Sequence, residues 1–436
     1  MVFIFSQEMA AWYLISCKLK EAVEATVTKS RSSNPSITLL PKRPIPDSIW
    51  IHSIRRKMHL EEIVYESPKW QKYSIYRIPN YLKVHDSSKS YIPQSISIGP
   101  YHHRVKELLP MECHKWRVLY NMLRRTGHDI RIYFDAVRRL EDQARSCYES
   151  DVSLPSNKFV EMMTLDGIFI LELIIEASKC YTQIGYREDS ICNMIHRDIM
   201  MPTIQRDIMM LENQIPLFIL DTLYGIQINN RDTRGEVVRI ASIFFGGLIP
   251  NENISRRGNY RGDGLHLLDV FYQSLQKLPT APSETDGRSR DGKKPYQELI
   301  PCVSKLKKAG VKFKVIHTEQ FWDITFSRRT LTIPRLVVGY NTHSLLLNLI
   351  AFEQCHPGTD FSITSYVMLM DKLINSPEDA AHLHHAGIIV NNIGSDAEVA
   401  EVFNNICEGV IFHSSGSHMS QLSAGINSSY KWARLN

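Results

Sequence analysis

Arg206-Asp-Ile-Met-Met-Leu-Glu-Asn-Gln-Ile-Pro-Leu-Phe-Ile-Leu-Asp-Thr-Leu-Tyr224 is apolar enough for a buried helix and is interrupted once, by a polar triplet and a proline. Pro216 has no N–H, and in a continuous helix its ring meets the carbonyl of Glu212, so a helix here must kink or restart. An uncompensated break of this kind costs roughly 3 kcal/mol. Glu212, Asn213 and Gln214 stand immediately before the proline. Buried polar side chains are hydrogen-bonded as a rule. The stretch therefore reads as a broken core helix whose own polar patch satisfies the freed backbone groups. A polar site inside the core is the functional alternative.

The pattern on either side is mostly helical. Asn157 to Ala177 is apolar almost throughout, with Asp166 and Glu172 as its odd polar members. Leu108 to Leu123 has Met111, Trp116, Leu119, Tyr120 and Leu123 at helical spacing, which predicts an amphipathic helix burying those side chains. Ile130–Tyr148, Glu236–Phe245 and Leu265–Leu275 follow the same rule. Arg197-Asp-Ile-Met-Met returns at Arg206, an echo too short for a repeat architecture. Ser74–Pro79 and Ser95–Tyr101 read as extended segments closed by Pro79 and by Gly99-Pro100.

Alternation in Val311–Ile316, Trp322–Ser327 and Thr330–Pro334, with a charged turn at Ser327-Arg-Arg, predicts a small antiparallel β meander or hairpin within 311–340 with one face buried. Ser376 before Pro377 is a helix start. Ser395 with Glu398 is a capping box, and Gly387 ends a helix before a short extended run. The fold class that results is mainly α (α+β): a large helical body carrying a small antiparallel meander.

The totals narrow the function. With 43% hydrophobic and 22% charged residues over 436 positions, the chain is an ordinary globular one with a large core. A net charge of +5 is too mild to indicate nucleic acid, though it suits weak attraction to anionic lipid. Eight scattered cysteines without a Cys-x-x-Cys fit reduced thiols. Met1–Lys29 is expected to hold a short helix, 30–47 a disordered Pro/Ser linker, and Trp50–Trp70 a basic helix. No apolar run spans a bilayer, and no basic segment precedes the apolar start to make a signal peptide. Asn253 and Asn427 match the glycosylation pattern by chance.

Reactive constellations are not legible. Gly287-Arg-Ser-Arg-Asp-Gly-Lys-Lys nearly spells a phosphate loop, but Lys294 replaces the magnesium-binding Ser/Thr and no strand leads into it. His382, His384 and His385 read as a helix-end cluster complementing the dipole, and His102-His103 as a hydrogen-bonding loop pair. Cys113-His114 and Cys355-His356 are chain neighbours that do not face one another on a helix. Glu61-Glu62 and Glu378-Asp379 belong to helix surfaces or starts. No catalytic, cofactor-binding or metal-binding residue is assigned and no cofactor is implied. One enzymatic alternative stays open, a site assembled around Asp166, Glu172 and Glu212, whose burial would raise their pKa values.

Nine colinear blocks resemble a single plant family. They are Ile75–Pro79, Ser97–His103, Glu112–Arg117, Phe159–Glu172, Arg206–Pro216, Ala309–Lys314, Asn348–His356, Ser365–Asn375 and Gly387–Asp396. The family is the plant domain of unknown function 247, also called uncharacterised protein family 0481. The resemblance implies a plant protein with no established catalytic activity, engaged in recognition or signalling through an unidentified protein partner; some members in grasses are implicated in pollen self-incompatibility. It divides the chain into an unmatched extension at 1–74, one family domain at 75–408, and a tail at 409–436 without the membrane helix common in members. Localisation is then membrane-associated by resemblance, or cytoplasmic if that helix is truly missing.

Overall fold

A helix that is apolar on every side must be wrapped by others. After a short 3-10 turn at Lys106–Met111 come α1 (Glu112–Thr126), α2 (Ile130–Arg139), α3 (Glu141–Arg145) and the long α4 (Ser156–Ser178). α4 is the centre of the core: Phe159, Met163, Ile168, Phe169, Leu171 and Ile174 are all fully buried. Each such side chain contributes roughly 1.5–3 kcal/mol by leaving water. α1 and α2 pack on it, as do α6 (Leu217–Gln227) and α7 (Glu236–Phe245), while α5 (Met194–Ile208) leads into α6. At the crossing with α6 the Leu223 side chain packs so closely over Gly167 that a Cβ there would lie 2.4 Å from Leu223 Cδ1.

The computed structural model describes residues 73–435 except 84–88, 179–193, 249–263, 276–299, 319–322, 411–417 and single positions, with a few residues near Ile54 before them. The chain divides into Met1–Ser67 and Pro68–Asn436, and the elements named belong to the second unit. The helix expected at 1–29, the linker at 30–47, most of the basic helix at 50–70, Glu61-Glu62, Asn253 and the near-phosphate loop at 287–294 lie outside the described residues.

The second half continues with α8 (Leu267–Leu275) and α9 (Val303–Lys308), then strands β1 (Lys312–Ile316), β2 (Thr325–Ser327), β3 (Thr330–Pro334) and β4 (Leu336–Val338). The helices α10 (Thr342–Cys355), α11 (Ser362–Leu373) and α12 (Pro377–His385) precede β5 (Ile389–Asn391), α13 (Asp396–Asn404) and α14 (His418–Leu435). The chain is mainly α with small sheets, as the periodicity implied.

The strands are where expected but their pairing differs. β2 and β3 form the antiparallel hairpin, turning through Arg328 and Arg329, both at positive φ. β1 lies on the other edge of β3 and runs parallel to it, so the three make a mixed sheet and not a meander. Alternation reports which face is buried and carries no strand direction. β4 and β5 pair in parallel across the intervening helices. The Ser376 cap and the Ser395–Glu398 capping box are both formed.

Two helical expectations are corrected. Ile130–Tyr148 is split at Leu140 into α2 and α3. On α1 the buried residues are Lys115, Val118, Leu119 and Met122, while Trp116 and Tyr120 are 44% and 59% exposed. A lysine at the middle of the buried face moves the apparent apolar stripe to the wrong arc. Among the described residues no helix is long and apolar enough to cross a membrane.

Candidate functional site

Pro216 does not kink a helix. α5 ends at Ile208, residues 209–214 turn, and α6 restarts after Pro216. Gln214 serves its own break, its Nε2 donating to the Ile208 and Met210 carbonyls while its Oε1 accepts from Leu268 N–H at 3.2 Å. The other polar residues of the stretch reach much farther than the expected local patch.

They hold two extended segments: the one at 74–79 is bridged in parallel to Tyr148 through Ile75, and the one at 94–98 has no strand partner among the described residues. Asp207, fully buried, accepts from the successive N–H groups of Gln94, Ser95 and Ile96 at 3.0, 2.6 and 3.0 Å, and from Ser95 Oγ at 2.9 Å. Arg206 Nη1 donates to the same carboxylate at 2.9 Å, and its Nη2 to the Lys89 carbonyl at 3.0 Å. Asn213 accepts from Ile98 N–H at 2.7 Å and donates to the Ile96 carbonyl at 3.0 Å. These side chains do for residues 94–98 what a neighbouring strand does in a sheet, so the buried backbone groups are paired.

Asp166 continues the line, accepting Gly99 N–H at 2.8 Å and Lys115 Nζ at 2.6 Å. Lys115 is 1% exposed, and its ammonium also donates to the Ser97 carbonyl at 2.5 Å and to Glu112 at 2.6 Å. Those three partners use all three of its protons. Burial pushes the Asp166 carboxyl up to about 6, against the pull of Lys115. Burial pulls the Lys115 ammonium down, but Asp166 and Glu112 more than offset this and leave it above its ordinary value. The pair is ionised at neutral pH. Gly99 must be glycine: its φ is +70° and a Cβ there would sit 2.4 Å from the Gln214 carbonyl oxygen.

Glu212 is the end of the seam nearest solvent. It accepts Ile78 N–H at 2.7 Å, Lys83 Nζ at 3.1 Å and Arg77 Nη1 at 3.2 Å, with His102 Nε2 at 3.7 Å. Burial would raise its pKa; the Ile78 N–H, Lys83 and Arg77 outweigh that and hold it below the usual carboxylate range. Arg77 stacks its guanidinium 3.7 Å from the Tyr101 ring centroid. Glu172 stands apart, gripped by both Arg125 nitrogens at 2.8 and 2.6 Å and by Gln227. Arg125 and Gln227 line a cleft of about 370 Å³, whereas the larger cavity, about 480 Å³ beside Cys302, Asp371 and Tyr430, is lined by none of the three acids. The structure thus brings Asp166 and Glu212 to one backbone segment and leaves Glu172 elsewhere. Each acid is neutralised by cations and hydrogen bonds of the fold.

The remaining candidates are dispersed. His382 faces Lys307, His384 faces Asp396 and His385 faces the Ala381 carbonyl, so the three rings do not converge. Cys113 donates to the Pro110 carbonyl. Burial pushes the Cys355 thiol up to about 12, far from a reactive thiolate. His356 stacks on Phe352 and hydrogen-bonds the Tyr76 hydroxyl. Asp379, expected to serve only its helix start, also accepts Ser304 N–H at 2.7 Å from α9. Asn427 is 4% exposed, which bars a glycan. Among the described residues no group of three His, Cys, Asp or Glu side chains is placed to hold a metal ion.

Sequence reasoning missed Asp207, Lys115 and Glu353. Glu353, on α10, caps the first turn of α11 by accepting Ile363 and Thr364 N–H at 3.0 and 2.8 Å. Of the three, only Glu353 is marked in the sequence, by the apolar run before it; Lys115 lies between His114 and Trp116-Arg117, and Asp207 follows Arg206, so neither stands out.

Residues 75–435 match the family model DUF247, described as plant protein of unknown function. The chain is 30% identical over 396 residues to UPF0481 protein At3g47200 of Arabidopsis thaliana, covering 85% of this chain and 80% of that protein. It is 24% identical over 481 aligned positions to putative UPF0481 protein At3g02645 of the same plant, covering 85% and 86%. No solved structure matches.

Proposed function

The chain belongs to the DUF247 family of plant proteins of unknown function, and we propose that it works there as a non-catalytic binding protein in recognition or signalling. The observation behind this reading is the state of the buried acids. Asp166, Glu172 and Glu212 each have their charge committed to a cation, a backbone N–H or a carboxamide of the fold. A general acid or base needs a proton it can exchange with a bound reactant. Carboxylates that hold loops in register are poorly placed for that, which leaves the outer surface as the working part.

The test is capture of the full-length chain from plant tissue, followed by gel filtration of what co-purifies. A protein that co-elutes at fixed ratio, and whose complex re-forms from the purified components, is the expected result. Steady conversion of any component of a plant metabolite extract by the purified chain, abolished by Glu212→Gln, would refute the proposal in favour of an enzyme built on those acids.

A further inference from the structure

The cleft beside Arg125 lies where the last turns of α1, α4 and α6 meet the first turns of α7. Its volume of about 370 Å³ is in the range of small-molecule sites. Ile175, Ile228 and Ile240 give it an apolar wall.

Two polar side chains that line it lack a partner. Tyr224 and Gln227 are each 9% exposed, and their spacing of three puts them on one face of α6. Gln227 donates its Nε2 to Glu172. Turning the amide over would set its oxygen against that carboxylate, so Oε1 is held as an acceptor. It is buried and meets no hydrogen-bond donor among the described residues. The Tyr224 hydroxyl has no hydrogen-bond partner among them either. Burial, with the nearby Glu236, raises its pKa, so it stays protonated at neutral pH and can donate or accept. Buried polar groups are hydrogen-bonded as a rule. Two exceptions on one cleft call for a ligand that supplies the missing partners.

The charges narrow the kind of ligand. Arg125 gives both terminal nitrogens to Glu172, and Arg239 gives Nε and Nη2 to Glu236. Each guanidinium lining the cleft therefore already faces a carboxylate, with which a phosphate or a second carboxylate would have to compete. The unmet groups are neutral ones: an amide oxygen, a phenolic hydroxyl and aliphatic surface.

We propose that this cleft binds a neutral, amphipathic small molecule, whose hydrocarbon body lies on Ile175, Ile228 and Ile240 and whose hydroxyl groups bond Gln227 Oε1 and the Tyr224 hydroxyl. The site stands apart from the protein-partner reading. A chain that binds no such molecule can still capture a partner, and a chain without a partner can still fill the cleft.

Menthol is the probe: a neutral, branched ring with one hydroxyl. Menthone has the same carbon skeleton but no proton to donate, and cyclohexanecarboxylate is an anionic counterpart. Binding to the full chain is measured by equilibrium dialysis, with the carboxylate as a competitor of menthol. The expected result is one menthol site per chain with a Kd on the order of 100 µM. Menthone should bind about five-fold more weakly or worse, because it leaves the Gln227 acceptor unmet, and the carboxylate should compete poorly. Tyr224→Phe removes a hydroxyl that bonds nothing in the fold, so the urea midpoint should hold while menthol binding weakens about three-fold or more. Ile228→Trp, at a position 44% exposed, fills the cleft and should abolish binding. No saturable binding, menthone binding as tightly as menthol, stronger binding of the carboxylate, or affinity unchanged in both folded variants would each overturn the proposal.

Discussion

Asp207→Asn tests the seam most directly. In the native chain one carboxylate takes four hydrogen bonds from residues 94–96 and faces Arg206, which is 8% exposed. An asparagine keeps one oxygen. Its best orientation retains the Ser95 and Ile96 donors and turns the amide NH2 toward the guanidinium, donor against donor. Two losses follow: charge-assisted bonds become neutral ones, at about 1 kcal/mol each, and a buried arginine loses its counter-charge, worth about 3–5 kcal/mol when one partner of a buried pair is removed. Some relaxation is available, because Arg206 also donates to the Lys89 and Ile92 carbonyls. The expected net cost is about 3–5 kcal/mol, a large share of the 5–15 kcal/mol that typically holds a domain folded. Urea unfolding followed by circular dichroism measures it, and hydrogen exchange at Gln94, Ser95 and Ile96 should accelerate before global unfolding does. Adding Arg206→Met should return part of the loss by removing the orphaned charge. A single variant within about 1 kcal/mol of the native chain, with unchanged exchange at those amides, would refute the idea that this carboxylate anchors the segment.

Two further outcomes follow from the same interior. His266 is fully buried, its Nδ1 accepting Asp269 N–H at 3.1 Å and its Nε2–H donating to the Ser74 carbonyl at 2.8 Å. Burial pulls its pKa down to about 3, outweighing the Ser74 carbonyl. The stability tied to the neutral ring is therefore complete above about pH 6.5 and lost as pH falls toward 3, by up to about 1.4 kcal/mol per pH unit. The gap in unfolding free energy between the native chain and His266→Gln should thus narrow by about 2–3 kcal/mol from pH 7 to 4.5; a gap that stays constant contradicts it. Gly99→Ala should cost roughly 2–4 kcal/mol, from positive φ plus the collision with the Gln214 carbonyl, whereas Gly127→Ala, at the same φ of +70° but with nothing within 4 Å, should cost only the strain. Equal urea midpoints for the two variants would show that the close approach at Gly99 is unimportant.

The helices were legible because period and capping are local: α4, α7, α8 and the starts of α12 and α13 stand where the pattern put them. The seam was not, because its bonds join residues far apart in the chain. Asp207 to Ser95 spans 112 positions and Glu212 to Ile78 spans 134. Nothing in Ser95-Ile-Ser-Ile-Gly says that its N–H groups will meet a carboxylate instead of another strand. The sequence did mark the right polar residues at Glu212, Asn213 and Gln214, and placed them beside the break. What it lacked was their reach. The parallel pairing of β1 with β3 was hidden for a similar reason, since alternation is identical in either direction.

Lys115 connects the hidden interior to the exposed face. Its ammonium is bound to the carbonyl of Ser97 on the extended segment and to Asp166 on α4, and this fixes the rotation of α1 about its own axis. An amphipathic helix with only apolar contacts could roll by part of a turn at modest cost. A helix with a buried ammonium cannot, because moving that charge off its carboxylate exposes an unpaired ion to the core. On α1 the rotation so chosen buries the lysine and turns the neighbouring Trp116 outward with Tyr120, against the arrangement that simple hydrophobicity favours. The exposed aromatics are thus a consequence of the buried charge: the seam that holds residues 94–99 in place also sets which side chains α1 turns outward.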